Sequence, residues 1–175
     1  MKLFTLTAVL LFIASAAFSQ SQQTTTIKLY FSNEKFNPNT DDCTKVYAVT
    51  RQIPKTKSVA TAALQALFNG TNKDEEARGY GSFSPTETAG ILKSVNIRRG
   101  AAYVNFDKRV NDQLGSATSS CGGAQFFGMV EATLKQFPTI KKVYYAIERN
   151  TNDFYEWVQV GECPHGKHCA KSNFK

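Results

Sequence analysis

The residues best suited to chemistry lie close together near the C-terminus. Residues 163–169 (CPHGKHC) place two thiols and two imidazoles within seven positions. Thiolate sulfur and imidazole nitrogen are ligands that zinc and copper prefer, so Cys163, His165, His168 and Cys169 could form a tetrahedral metal site. The spacing matches no common zinc module, and cysteines of exported chains usually oxidise. A disulfide in this segment is therefore the favoured interpretation, and metal binding is the alternative.

Nucleophilic chemistry has few candidates elsewhere. The two histidines, His165 and His168, both lie in this segment, so a catalytic pair would have to reach from there to the rest of the chain. Cys121 precedes a glycine pair and a predicted helix, where a thiolate can be stabilised, although a structural disulfide is favoured in an oxidising compartment. The chain has no nucleophile elbow and no Walker motif. We therefore predict that it is not an enzyme and needs no cofactor.

Charged residues show no spacing that marks a paired acid and base. The carboxylates Asp107, Asp112, Glu131 and Glu148 are scattered, as solvated surface groups usually are. Cations are in excess, with 21 Lys and Arg against 14 Asp and Glu, and the formal net charge is +7. After export, nucleic acid is not expected as a partner and anionic wall polymers or lipid head groups are available instead, while a soluble basic protein with no ligand is the favoured interpretation of this charge. The basic residues are spread along the chain: Lys93, Arg98, Arg99, Lys108, Arg109, Lys135, Lys141, Lys142, Lys167, Lys171 and Lys175.

An apolar leader predicts export. Lys2 precedes an apolar run over residues 3–17, which has the length of a signal-peptide core and is too short to span a bilayer. Small side chains at Ala17 and Ser19 indicate cleavage after Ser19, with a retained N-terminal anchor as the alternative. We expect residues 1–19 to be a signal peptide. The mature protein would then be periplasmic or extracellular, without a transmembrane segment.

Four cysteines follow this leader, and an even number in an exported chain suggests two disulfides. Four cysteines allow three pairings, and spacing alone does not choose among them. A bond between Cys163 and Cys169 would close a small loop and leave Cys43 and Cys121 for a long-range bond. In the chain-entropy view, a bond that closes so long a loop stabilises the fold by about 4–5 kcal/mol.

Hydrophobic periodicity predicts two strands and a helix in the first half. After a flexible polar start at 20–26, alternation over 27–32 predicts one strand, and β-branched and aromatic residues over 44–53 predict another. A helix is predicted from an N-cap at Ser58 to a stop at Asn69-Gly70. Its apolar face consists of Ala60, Ala63, Leu64, Leu67 and Phe68. The polar segment 71–87 is expected on the surface, with room for one helical turn.

The second half predicts a hairpin, a helix and a further strand. Residues 91–106 alternate on either side of a tight turn at Arg99-Gly100, and 107–120 is expected to be a loop. A helix from about Gly123 is ended by Pro138. Its buried face is predicted to contain Phe126, Val130, Thr133, Leu134 and Phe137. Strands are expected at 143–147 and, as a short last one, at 155–160.

This element order predicts one α/β (α+β) domain over 27–160, followed by a basic tail at 161–175 that carries the histidines. Two helices, each apolar on one face, indicate a two-layer sandwich in which a mixed β-sheet carries both helices on one side. The other side of the sheet would be open to solvent or to a partner. Six aromatic side chains could be presented there for protein or sugar contacts, or could equally be packed or protect strand edges: Tyr30, Tyr47, Tyr103, Tyr144, Tyr155 and Trp157.

Six stretches, in their order and spacing, resemble the GerMN (sporulation and spore germination, Germane) domain family. They are 27–31 (IKLYF), 49–54 (VTRQIP), 62–70 (AALQALFNG), 92–95 (LKSV), 100–106 (GAAYVNF) and 133–138 (TLKQFP). The resemblance implies an exported bacterial module with a fold similar to the ring-building motifs of envelope assemblies, and no catalytic residue. Some members have a cysteine before the second strand and another before the second helix, which implies a bond between Cys43 and Cys121.

The resemblance and the composition together give three functional hypotheses. The first is a non-enzymatic envelope module that binds envelope proteins or self-associates through its sheet face or edges, linked by the resemblance to sporulation or germination. The alternative is a basic protein that binds peptidoglycan or an anionic wall polymer in a salt-sensitive way. The second alternative is a metal-binding protein that uses the C-terminal Cys/His tail.

Overall fold

The strands form two three-stranded sheets within residues 23–82 and 88–175, the parts of the chain that this computed structural model describes. In spatial order, the first sheet consists of β2 (Tyr47–Pro54), β1 (Thr24–Asn33) and β3 (Tyr80–Gly81). The second consists of β4 (Leu92–Arg98), β5 (Ala101–Phe106) and β6 (Lys142–Ile147). The predicted α+β class is confirmed, although the strands are divided between two sheets. The predicted signal peptide lies outside the described residues.

Strand β1 follows from alternating side chains. Ile27, Leu29 and Phe31 are buried, while the residues between them are partly or fully exposed. The strand begins earlier than predicted, because residues 24–26, expected in a flexible start, pair with residues 52–54 of β2. Threonine favours strands, and this pairing satisfies backbone groups that would otherwise need water.

Helix α1 (Val59–Phe68) buries the five apolar residues predicted for its inner face. It ends at Asn69, and Gly70 adopts a left-handed φ of 81°, as expected of a C′ glycine. The Ser58 side chain makes no capping hydrogen bond. The predicted helical turn in the polar segment is α2 (Lys73–Ala77), which begins with a capping box between Asn72 and Glu75.

The β4–β5 hairpin turns at Arg99 and Gly100, with φ of 49° and 79°. Positive φ at both central residues is typical of the tight turns that suit twisted hairpins. Strands β5 and β6 are parallel, so the chain must cross over between them. The predicted loop at 107–120 contains α3 (Val110–Gln113) and a 3₁₀ turn, and the crossover is completed by α4 (Ser120–Lys135).

Helix α4 begins at Ser120, earlier than the predicted Gly123, because the Ser119 side chain caps it. The Ser119 hydroxyl accepts a hydrogen bond of 3.1 Å from the Gly122 backbone N–H. Gly122 and Gly123 lie inside the first turns of the helix, where their lack of a side chain permits close packing on the preceding 3₁₀ turn. Glycine is a poor helix former, and the tertiary contact outweighs that preference.

The predicted last strand at 155–160 is wrong. Residues Thr151–Trp157 form helix α5, in which the Asn150 side chain accepts a hydrogen bond from Asn152 N–H. Residues 155–160 are rich in aromatic and β-branched side chains, which favour strands. The longer window from Thr151 to Val158 buries residues at helical spacing, with Phe154 stacked on Tyr145 at a centroid distance of 4.8 Å.

The main core lies between the two sheets and helices α1 and α4. The prediction that the outer face of the sheet is open is wrong for β5 and β6, because the C-terminal tail lies across it. A second small core results: Ala101, Tyr103, Tyr144, Ala146 and Phe174. Apolar surface on both faces of a strand is removed from water only when something covers each face. No helix among the described residues has both the length and the apolar character needed to cross a bilayer.

Candidate anion-binding site

Aromatic contacts hold the tail, residues 161–175, against the second sheet. Phe174 is fully buried and meets Tyr103 edge-on, with ring centroids 5.4 Å apart. The His168 ring stacks on Tyr144 at 4.2 Å, and 2.8 Å separates its Nδ1 from the hydroxyl oxygen of Tyr103. These contacts fix the position of the backbone on either side of His168.

Asn173 fastens the tail by hydrogen bonds in two directions. Its side-chain amide donates to the backbone carbonyls of Lys167 and His168, at 3.0 and 3.1 Å. Its side-chain oxygen accepts from Arg98, and its backbone carbonyl accepts from the Asn96 amide at 2.8 Å. The tail is therefore folded on itself and attached to β4 through one buried residue.

A disulfide between Cys163 and Cys169 closes the loop that carries both histidines. The Cys163 N–H donates to the Asn152 side chain at 3.1 Å, and the Thr151 hydroxyl donates to the Cys169 carbonyl at 3.2 Å. The loop is thus bound to the first turn of α5 at both of its ends. This attachment determines where Lys167 stands relative to the sheet.

The hairpin turn is bonded to the start of β6. The Gly100 carbonyl accepts hydrogen bonds from the backbone N–H groups of Lys141 and Lys142, at 2.8 and 3.2 Å. Because Arg98 and Arg99 immediately precede Gly100, these backbone bonds bring two arginines beside two lysines. A β-turn and a strand start, far apart in sequence, therefore present their cations on one side of the molecule.

Together with the tail, these segments line a cleft of about 490 Å³, here called the basic pocket. Its five cations are Arg98, Arg99, Lys141, Lys142 and Lys167, and its lining also includes His168. All five cations belong to exposed residues. Guanidinium and ammonium groups are the donors that proteins use for phosphate and carboxylate groups.

The positive charge of the basic pocket is not neutralised within the part of the chain that the structure describes. No carboxylate in residues 23–82 or 88–175 lines it, and the four ion pairs found there all involve other cations. Like charges held in one cleft repel one another and raise the local potential. An anion that enters is attracted by all of them, so the pocket is suited to binding negative charge.

The surroundings of His168 lower its pKa below the ordinary value of 6.5. Loss of water around the ring is the largest cause, and the charges of Lys167 and Lys142, with a smaller effect of His165, act in the same direction. His168 therefore favours its neutral form at neutral pH. A bound anion would oppose this effect and favour protonation.

Residues 28–152 match the Germane family, described as sporulation and spore germination. The chain belongs to this family. The second sheet lies inside the GerMN domain, and so do four of the five pocket cations. Lys167 and His168 come from the tail that follows the domain. The basic pocket is therefore built jointly by the GerMN domain and a segment outside it.

A solved structure with GerMN domains shares the fold. The tandem GerMN domains of the sporulation protein GerM from Bacillus subtilis are 24% identical over 71% of this chain and 39% of theirs, with a TM-score of 0.51. The first GerMN domain of that protein is 22% identical over 70% of this chain and 82% of its own length, with a TM-score of 0.46. This chain thus spans 39% of the tandem structure. No curated protein is similar enough to count as a match.

The other disulfide joins Cys43 to Cys121, the pairing implied by the resemblance to the GerMN family. It links the segment before β2 to the first turn of α4. Two disulfides indicate an extracytoplasmic protein. Because Cys163 and Cys169 also form a disulfide, their sulfurs are not available as the thiolates that the metal-binding alternative requires.

Most carboxylates considered as acids or bases lie in surface ion pairs. Asp107 pairs with Arg109 at 2.8 Å, and hydrogen bonds from Arg109 lower the pKa of Asp107. Glu148 pairs with Lys93 at 2.7 Å, and that hydrogen bond is the main cause of its lowered pKa. The remaining residues follow the same surface pattern: Glu131 pairs with Lys135, and Asp112, Lys108, Lys171 and Lys175 are exposed.

Sequence reasoning found the cations of the basic pocket but not their convergence. Arg98-Arg99 and Lys141-Lys142 are pairs of adjacent residues. The first pair ends one predicted strand, and the second directly precedes another. That signal would have sufficed only with the knowledge that β6 lies parallel to β5. The buried ion pair of Arg51 with Glu75 was also missed, although Asn72 and Glu75 show the spacing of a capping box.

Proposed function

We propose that this chain is a non-enzymatic GerMN-domain protein, exported through its N-terminal leader, that binds an anionic polymer of the bacterial envelope in the basic pocket. The observation that carries the proposal is the convergence of five cations without a lining carboxylate among the described residues. A link to sporulation is carried by the family description alone.

The shape of the basic pocket supports a polymer. It is a cleft on the surface, formed where a hairpin turn, a strand start and the tail meet, so a long chain can pass across it without threading. Exposed lysine and arginine side chains gain attraction at low ionic strength and lose much of it when salt screens the charges. Binding is therefore expected to be steeply salt-dependent.

The test is co-sedimentation of the mature protein with purified cell-wall sacculi at low and high salt. The variant K141Q/K142Q removes two pocket charges, and the control K73Q/K108Q removes two exposed charges elsewhere. We expect the wild-type protein and the control to pellet at low salt and to be released at high salt, while K141Q/K142Q stays in solution. The proposal would be contradicted if the wild-type protein pelleted equally at low and high salt, or if both variants lost binding to the sacculi to the same extent.

A second candidate function is protein association at the edge of β4 that pairs with no strand among residues 23–82 and 88–175. Ile97 in this edge strand is 43% exposed, and a hollow of about 370 Å³ lined by Val59, Val95 and Phe137 lies beside it. An exposed edge strand with an apolar side chain can pair with another chain. This candidate predicts a molecular mass that rises with protein concentration in the wild-type protein and not in I97K, measured by sedimentation.

A further inference from the structure

A second cleft adjoins the basic pocket. It measures about 290 Å³ and shares Lys141 and Lys142 with the pocket. The rest of its lining comes from α4, β6 and the tail loop: Glu131, Lys135, Val143, Tyr144 and His165. The two clefts therefore lie on either side of one pair of lysines at the start of β6.

Tyr144 lines the second cleft and contacts a residue of the basic pocket. His168, on the pocket side, stacks on its ring at 4.2 Å, and His165, on the side of the second cleft, meets it edge-on at 5.1 Å. The side chain is almost completely buried between these two histidines. Because the disulfide Cys163–Cys169 encloses both histidines, a single loop shapes both clefts.

The second cleft carries less positive charge than the basic pocket. Its one carboxylate among the described residues belongs to Glu131, which forms an ion pair with Lys135 one helical turn away. This pair neutralises itself, so the shared lysines Lys141 and Lys142 dominate the remaining charge. A negative group in the second cleft would be attracted mainly by the same two lysines that also face the pocket.

We propose that the two clefts are consecutive subsites of one groove for a linear chain of phosphate groups, with Lys141 and Lys142 between the subsites. This inference rests on the proposed function and names its ligand class. The two arginines of the pocket offer planar donor pairs suited to phosphate, and the lysines offer point charges to the next group along the chain. A ligand that fills both subsites binds more tightly than one that fills the pocket alone, because the second contact is intramolecular.

The test compares tripolyphosphate with long-chain polyphosphate as probes, by calorimetry on the mature, disulfide-bonded protein. We expect the long chain to bind at least about tenfold more tightly at equal salt. K135Q leaves the charge of Glu131 without its partner in the second cleft. It should therefore weaken the binding of long-chain polyphosphate several-fold without changing the binding of tripolyphosphate. E131Q removes the repulsive charge and should strengthen long-chain binding.

The outcomes separate this inference from the proposed function. If neither probe binds the wild-type protein, the proposed function fails. If both bind with equal affinity, or if K135Q and E131Q change both probes alike, the basic pocket binds anions but the second subsite is wrong. Thermal unfolding of both variants controls for folding, since an i,i+4 ion pair on the surface contributes little to stability.

Discussion

His168 connects the protonation state of the tail to the stability of the fold. Its ring packs between Tyr144 and the hydroxyl of Tyr103, and its lowered pKa is caused by desolvation and by the neighbouring cations. Protonation would place a charge beside Lys142 and Lys167 in a cleft that is already positive. The neutral ring is therefore the form that the folded state prefers.

This preference predicts a loss of stability as the pH falls below about 6.5, the ordinary pKa of histidine. The unfolded chain takes up the proton first, so it binds more protons than the folded chain until the lower, folded pKa is passed. Urea denaturation at about pH 7.5, 6.5 and 5.5 should show an unfolding midpoint that falls with pH in the wild-type protein. The midpoint of H168Q should depend less on pH.

H165Q is the matched control for this measurement. His165 is exposed and meets the rings of Tyr144 and Tyr155 in T-shaped contacts without stacking, so its removal should preserve the decline. The carboxylates with lowered pKa values, Asp107 and Glu148, lose their contribution only at more acidic pH and do not act in this window. A wild-type midpoint that stays constant from pH 7.5 to 5.5, roughly, would show that His168 is equally easy to protonate in both states.

The first turns of helix α4 show how closely one element can depend on the absence of side chains. A Cβ at Gly122 would overlap the carbonyl oxygen of Ser116, and one at Gly123 would come within 2.9 Å of the Ala117 carbonyl oxygen. Both contacts are with backbone of the 3₁₀ turn, which cannot move aside as a flexible side chain can. The helix and the turn therefore pack at a distance that only glycine allows.

G122A is expected to destabilise the protein by about 1–3 kcal/mol, although alanine is the better helix former, because the helix or the turn must shift. The control is G115A, since a Cβ at Gly115 would meet no atom within 4 Å. Chemical denaturation of both variants compares the two positions. If G122A were as stable as the wild-type protein, the 3₁₀ turn would be able to move away from the added methyl group without loss of stability.

Elements with a regular pattern of their own could be predicted from the sequence. Strand β1, helix α1 and the hairpin at Arg99-Gly100 each show a local period or turn signal that tertiary contacts only reinforce. The start of α4 and the helix α5 could not be predicted in this way. Glycines at the start of α4 are poor helix formers, and the strand-favouring residues at 155–160 concealed the helical spacing of the longer segment around Phe154.

The candidate site was less predictable than the elements that carry it. The cations are visible in the sequence, but their convergence depends on the parallel pairing of β5 with β6 and on the bonds accepted by Gly100. The covering of the sheet by the tail depends on Asn173 and Phe174, neither of which belongs to a periodic pattern. Long-range pairing of this kind leaves no local signal in one sequence.

The two disulfides hold different parts of the protein, so their removal should have different effects. The Cys43–Cys121 bond spans 78 positions, and the Cys163–Cys169 bond spans 6. In the chain-entropy view, C43S/C121S should lower stability by about 4–5 kcal/mol and C163S/C169S by about 2 kcal/mol. Denaturant unfolding under non-reducing conditions measures both differences.

The two disulfides should rank in the opposite order in their effect on anion binding, with the larger loss of affinity in C163S/C169S. C163S/C169S loosens the loop that positions Lys167 and His168, and should weaken polyphosphate binding at temperatures where the fold persists. C43S/C121S alters a region away from the basic pocket, and binding should be retained while the protein stays folded. Equal binding by C163S/C169S and wild-type protein would show that the loop keeps its position without the bond.

The tail that covers β5 and β6 gives the end of the chain an importance that the family region alone does not show. A protein cut after residue 160 would retain the whole matched region and helix α5, and yet present Tyr103 and Tyr144 to water. Such a fragment would be prone to aggregate through these aromatic rings and would have lost one of the five pocket cations. The position at which proteolysis or cloning ends the chain therefore decides whether this face of the sheet is buried or is exposed and prone to association.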